Sequence, residues 1–105
     1  MPPDRIILLE KFYQEDPDDP FNLYALALEY LKYDPAKAVT LFTRLLKEHE
    51  GYLPTYYHAA RLFQETGEKE KAIAVYERGM ALAKELNDNK TLRELRSAYD
   101  ELMFD

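Results

Sequence analysis

The chain has 105 residues, 47% of them hydrophobic, and its 14 basic and 20 acidic residues give a formal net charge of −6 at pH 7. This length suits one folded domain, and the acidic balance argues against the basic surface that binding to nucleic acid or to an anionic membrane requires. Because the chain has no cysteine and no apolar run as long as a membrane span or a signal-peptide core, we expect a cytoplasmic protein without disulfides or thiol chemistry.

Prolines, glycines and capping residues, together with a helical period of apolar residues, predict six helices. The first is expected to bury a stripe of Ile6, Leu9 and Phe12, and Asp19 is placed to cap the second ahead of Pro20. No segment alternates as a strand does, so the predicted class is all-α. In chain order, the predicted helices cover residues 4–15, 20–32, 35–49, 54–66, 68–86 and 88–104.

Two later helix boundaries depend on single residues. Gly67 is expected to close the fourth helix in a left-handed conformation, which glycine adopts without steric cost. The last helix has two candidate caps, a capping box of Thr91 with Glu94 and the side chain of Asp88. Short connections between the predicted helices make chain neighbours antiparallel.

A repeat with a period near 34 residues runs through the middle of the chain. Ala38 and Phe42 stand four apart, and so do Ala72 and Tyr76, 34 residues later. Upstream of them, two further matching sets lie 33 residues apart: Leu26, Ala27 and Tyr30, then Ala59, Ala60 and Phe63. Small and aromatic residues at fixed offsets in such a period are typical of stacked helix pairs, in which the small residues let helices approach closely.

These positions resemble the tetratricopeptide repeat (TPR) family. The second copy carries the resemblance on Tyr56, Ala59, Ala60, Phe63, Gly67, Ala72 and Tyr76, and the first on Leu23, Leu26, Ala27, Tyr30, Ala38 and Phe42. Neither copy has the family's tryptophan, its closing proline is replaced by Glu50 and Lys84, and Gly79 stands where alanine is usual. The resemblance implies a right-handed superhelical stack of antiparallel helix pairs, a TPR-like α-solenoid.

The resemblance also implies a division of one domain, residues 1–105, into four parts. They are a half-repeat helix at 4–15, repeat one at 20–50, repeat two at 53–86 and a capping helix at 88–104. In this family the first helix of each pair lines the concave side, where peptides bind. The candidate peptide-binding residues are therefore Tyr24, Leu28, Leu31, Tyr57, Arg61, Gln64, Arg93 and Arg96.

The second helix is apolar nearly all round, and such a helix must be covered nearly all round. One interpretation is that Tyr24, Leu28 and Leu31 form an apolar floor for a bound peptide or partner helix. The other is that neighbouring helices of the same chain cover them. The sequence leaves both interpretations open.

The arginines also have two interpretations. Arg61, Arg93 and Arg96 together would make one end of the groove basic and suited to carboxylates. Alternatively, Arg61 pairs with Glu65 and Arg96 with Asp100 within their own helices. The lysine and asparagine clamp of chaperone-adaptor TPR domains is not carried over, because Leu28 and Arg61 stand where its first asparagine is expected in the two copies. An apolar or mixed peptide fits the sequence better than that family's acidic tails.

No pattern predicts a catalytic residue, a metal site or a cofactor. The expected function is a non-catalytic protein–protein interaction module, a monomer or weak homodimer. One alternative is self-association through the apolar strip or through Met103 and Phe104. Another is an enzyme or regulatory subunit with a small-molecule pocket beneath Tyr57 and His58.

Overall fold

The computed structural model describes residues 4–104, and these form six α-helices with no strand among them. The predicted all-α class and the six helices are therefore confirmed. Within the same residues, no helix combines the length and apolar character needed to cross a membrane. In chain order the helices are α1 (Asp4–Glu15), α2 (Pro20–Tyr33), α3 (Pro35–Glu48), α4 (Pro54–Glu65), α5 (Lys69–Glu85) and α6 (Asn89–Phe104).

Aspartates cap three of the helices, because a carboxylate can accept the backbone N–H groups that the first turn leaves unpaired. The N–H groups of Phe21, Lys37 and Thr91 donate to Asp19, Asp34 and Asp88 at 2.9, 3.4 and 3.0 Å. Asp88 also accepts from the Thr91 hydroxyl, and both hydrogen bonds lower the pKa of Asp88. Of the two candidate caps of α6, the Asp88 side chain thus fills the position.

The chain divides into two compact units, Met1–Tyr52 with α1, α2 and α3, and Leu53–Asp105 with α4, α5 and α6. In the first unit, α2 packs against both α1 and α3. Ala27 and Ala38 are completely buried at the α2–α3 contact, beside the buried rings of Tyr30 and Phe42. The repeat thus predicted these core positions correctly.

Helix α1 buries a narrower stripe than its sequence suggests. Ile6 and Leu9 are buried, but Phe12 is 42% exposed, and the expectation that all three lie in the core is wrong for Phe12. Within this unit α1 packs chiefly against α2. A helix held by one neighbour covers only the part of its apolar face that points at that neighbour.

In the second unit, α5 packs against both α4 and α6, and α4 also contacts α6. Gly79 lies where the three helices meet. A Cβ atom added there would stand 2.7 Å from the Cβ of Tyr56 and 3.1 Å from Cδ1 of Leu95. The close approach of α5 to both neighbours therefore requires glycine at this position. At the end of α4, Gly67 has the predicted left-handed conformation, with φ +82°.

Candidate functional site

An open hollow of about 740 Å³ lies in the second unit along α4 and α6. Helix α4 contributes Tyr57 and Arg61, which are one turn apart on the same face, and the neighbouring His58. Helix α6 contributes a stripe that begins in its first turn and runs to its last. That stripe consists of Lys90, Arg93, Glu94, Ser97, Ala98 and Glu101. The hollow thus combines aromatic, basic, acidic and small side chains.

The basic groups of the hollow are loosely held. Arg61 pairs with Glu65 as one interpretation predicted, with Nη2 3.8 Å from Oε1, and its Nη1 donates to the Tyr57 hydroxyl at 3.5 Å. Such exposed pairs contribute little to stability and can be exchanged for a ligand at small cost. Among residues 4–104, no carboxylate forms an ion pair with Arg93. A guanidinium in this condition is available to a carboxylate or backbone carbonyl of a partner.

Charge is unevenly distributed along the hollow. Lys90 and Arg93 lie in the first turns of α6, where the helix dipole adds further positive potential. Glu94 follows Arg93 directly, Glu101 lies in the last turn, and the small side chains of Ser97 and Ala98 stand between these two carboxylates. An extended segment with an acidic side chain near Arg93 and a basic one near Glu101 would complement this arrangement.

His58 is half-buried and its ring meets that of Tyr57 edge-on, with 5.5 Å between ring centroids. Burial, and after it the charge of Arg61, lower the pKa of His58 from the usual value. The imidazole is therefore neutral at pH 7. Within the described residues, no three His, Cys, Asp or Glu side chains are grouped so that they could hold a metal ion.

Two of the expected binding residues lie away from this hollow. Gln64 accepts a hydrogen bond from the Tyr76 hydroxyl at 3.3 Å, on the α5 side of α4, and burial raises the pKa of Tyr76 to about 12. Arg96 lines a different groove with Leu92 and Tyr99, between α6 and α5. The expected trio of arginines is thus divided, because positions 93 and 96 point to opposite flanks of α6.

In the first unit, the three expected residues of α2 are half-buried. They are Tyr24, Leu28 and Leu31. The ring of Tyr24 packs edge-on against Tyr52, with centroids 5.6 Å apart, and burial raises the pKa of both phenols. On the same helix Phe21 is 60% exposed. The outer face of α2 is therefore partly covered within the chain and partly accessible.

Most of the residues that α6 contributes to the hollow were not among the predicted binding residues. They are Lys90, Glu94, Ser97, Ala98 and Glu101. Their spacing carries a usable signal, since positions 90, 94, 97 and 101 lie on one face of a helix. The spacing alone does not show which flank of α6 faces α4, so it could not assign these residues to the hollow.

Paired antiparallel helices that repeat every 33 to 34 residues define a helical-repeat protein. No protein-family model matches the chain, and neither does any curated protein sequence. Two solved structures of tetratricopeptide repeat domain proteins from Salinibacter ruber are similar to it. One, determined by NMR in solution, is 39% identical with a TM-score of 0.78, and the match covers 83% of this chain and 89% of that one. The other, a crystal structure, is 36% identical with a TM-score of 0.78, and the match covers 81% of this chain and 97% of that one. The chain belongs to the tetratricopeptide repeat family.

Proposed function

We propose that this protein is a non-catalytic interaction module that binds a segment of another protein, with the α4–α6 hollow as its principal contact surface. The observation that carries the proposal is the hollow's lining, which brings Arg61, Arg93 and the ring of Tyr57 into one surface. Tyrosine and arginine are among the side chains that contribute most often to binding energy at protein interfaces. The cytoplasmic location expected from the cysteine-free composition is part of this proposal.

The ligand that this lining favours is a mixed peptide. Tyr57 offers an aromatic surface, and the basic end of α6 attracts a carboxylate. The small side chains of Ser97 and Ala98 leave room in the hollow for a bulky side chain of the peptide. The half-buried apolar side chains of α2 are a second candidate contact in the first unit. They are Tyr24, Leu28 and Leu31. A single surface of this kind gives dissociation constants of about 1 μM, or roughly −8 kcal/mol.

A random peptide-display library of roughly 12 residues per peptide, selected on the intact chain, tests the proposal. We expect enriched sequences that share an acidic and an apolar position. For the best of them, Arg93→Ala should weaken binding by about tenfold, which corresponds to roughly 1.4 kcal/mol for a lost charge-assisted contact. Isothermal titration calorimetry measures the change.

Arg96→Ala is the matched control, because it removes the same side chain from the same helix at a position outside the hollow. It should leave the affinity unchanged. Failure of the library to enrich any sequence would refute the proposal. Equal losses in the two variants would show that the peptide binds elsewhere.

A further inference from the structure

A groove of about 340 Å³ lies between α5 and α6, on the flank of α6 that faces away from the hollow. Two helical stripes form it. One is Glu77, Met80, Ala81 and Lys84 on α5, and the other is Leu92, Arg96, Tyr99 and Asp100 on α6. The spacing within each stripe is three, four or one residue, so each follows one face of its helix. Such parallel walls suit a third helix laid between them.

The groove has apolar side chains in its floor and charged ends of opposite sign, and the exposed Arg96 stands on its α6 wall between those ends. Met80, Leu92 and Tyr99 are half-buried in its floor. The hydroxyl of Tyr99 donates to Glu77 Oε2 at 3.2 Å, which places the later half of α6 beside the middle of α5. Glu77 and Asp100 therefore share the acidic end. Lys84 marks the other end.

Helix α1 presents an exposed stripe with the complementary pattern. Arg5, Leu8, Phe12 and Glu15 fall on one face, basic at the start, apolar in the middle and acidic at the end. Leu8 is 49% and Phe12 is 42% exposed, although both are large apolar side chains. Arg5 is positioned by Glu29 of α2, with Nε 2.8 Å from Oε1, yet its side chain is 66% exposed.

We propose that α1 of a second copy of this chain docks in the α5–α6 groove. Leu8 and Phe12 of one copy cover the apolar floor of the other. Arg5 then reaches Glu77 and Asp100, and Glu15 reaches Lys84. In this orientation the docked helix is parallel to α5 and antiparallel to α6, as the second helix of a further pair would be.

The contact is heterologous, because the docked surface and the receiving surface are different. Each copy therefore offers one α1 and one groove, and association does not stop at two copies unless a ring closes. Two faces of about three turns bury well under 1,200 Å², the range of weak, transient interfaces. We expect association that depends on concentration, with a monomer at the low end.

Sedimentation velocity of the intact chain from about 5 μM to about 500 μM, a range suited to so small an interface, tests the proposal. The expected result is a mass that rises above the 12.4 kDa of one copy as the concentration increases. Phe12→Ala should abolish the rise. Ile7→Ala is the matched control, since Ile7 is 56% exposed on α1 but lies off the stripe, and it should leave the rise intact.

A charge exchange tests the orientation with variants whose substituted positions are exposed, so that the fold is retained. Glu15→Lys and Lys84→Glu should each prevent association, because like charges then meet at the same end of the groove. An equimolar mixture of the two should associate again, since the intact α1 of one fits the intact groove of the other. Circular dichroism verifies that each variant is folded.

A mass of one copy at every concentration would overturn the proposal. Association that survives Phe12→Ala and Glu15→Lys, or that the mixture fails to restore, would overturn it as well. The groove and the hollow lie on opposite flanks of α6, so this experiment and the peptide selection can fail independently.

Discussion

Gly79 shows how much one missing side chain can matter. Alanine is favoured over glycine inside a helix by about 1 kcal/mol. At this position, however, the added Cβ would lie 2.7 Å from the Cβ of Tyr56, and the backbone of α4 would have to move. We expect Gly79→Ala to lower the free energy of unfolding by about 1–3 kcal/mol, the usual cost of overpacking a core. Urea denaturation measures it.

Gly51→Ala provides the control for that substitution, because no atom lies within 4 Å of the Cβ that it would add. Its free energy of unfolding should change by no more than about 0.5 kcal/mol. An unchanged midpoint for Gly79→Ala would show that α5 can move away from its neighbours without cost.

His58 is the residue whose titration reports on the hollow. Because burial and the charge of Arg61 lower its pKa, the folded protein binds fewer protons than the unfolded chain near pH 6. The contribution of His58 to stability is therefore present above the usual pKa of 6.5 and is lost as the pH falls through it. The groups that line the hollow around it are Tyr57, Arg61, Lys90, Arg93, Glu94 and Glu101.

An NMR titration of the His58 ring protons should give a midpoint below 6.5. Arg61→Gln should raise that midpoint, since it removes a nearby positive charge that disfavours protonation. Arg96→Gln should leave it unchanged, because Arg96 lies on the other flank of α6. A midpoint above 6.5 in the unmodified protein would contradict both the burial of His58 and its proximity to Arg61.

At the scale of elements, Arg44 of α3 holds the end of α1 in place. Its Nη1 donates to the Tyr13 hydroxyl at 2.6 Å and its Nη2 to the Pro17 carbonyl at 3.2 Å, while Nε pairs with Glu48 at 3.1 Å. The guanidinium also lies over the Tyr13 ring, 5.7 Å from its centroid. One side chain thus connects α3 both to α1 and to the turn that follows it.

Lysine cannot reproduce this forked geometry. We therefore expect Arg44→Lys to cost about 1 kcal/mol of stability, equivalent to one or two hydrogen bonds, and to speed hydrogen exchange in the last turn of α1. Arg93→Lys in the second unit is the control and should change neither quantity. Unaltered exchange in α1 of the Arg44→Lys variant would mean that α2 alone holds the helix.

Helix ends and core positions were predictable because they depend on local sequence features that occur in both copies of the repeat. Asp19 and Asp34 each precede a proline, and both cap a helix. The alanines recur with the repeat, and all four of those expected at helix contacts are fully buried. They are Ala27, Ala38, Ala60 and Ala72. Phe12 was misassigned because burying it would take a second helix against that face of α1, and within the first unit α1 packs chiefly against α2.

The candidate site was harder to predict because it depends on which way α6 turns. Arg93 and Arg96 are three residues apart, and spacing alone placed them together. The buried residues Leu95, Ala98 and Leu102 define the inner face of α6. From that face the two arginines diverge, one toward α4 and the other toward α5. The packing of α6 against α4 and α5 determines which flank each arginine occupies, and the sequence of α6 alone does not predict that packing.

For the whole molecule, the formal charge of −6 is unevenly distributed over the surface. The surfaces proposed to bind partners are local exceptions to it, since the hollow has three basic residues against two acidic ones. They are Arg61, Lys90 and Arg93 against Glu94 and Glu101. The acidic remainder opposes non-specific contact between copies. Selectivity for a particular segment then depends on these small regions and not on the overall charge.

One helix, α6, forms a wall of both the hollow and the groove. A ligand bound in either surface therefore also contacts the helix that lines the other. If a ligand shifts α6 so that the opposite flank binds more or less tightly, thermodynamic linkage requires the influence to be equal in both directions. A peptide bound beside Arg93 would then report, through its own affinity, whether the flank that carries Arg96 is occupied.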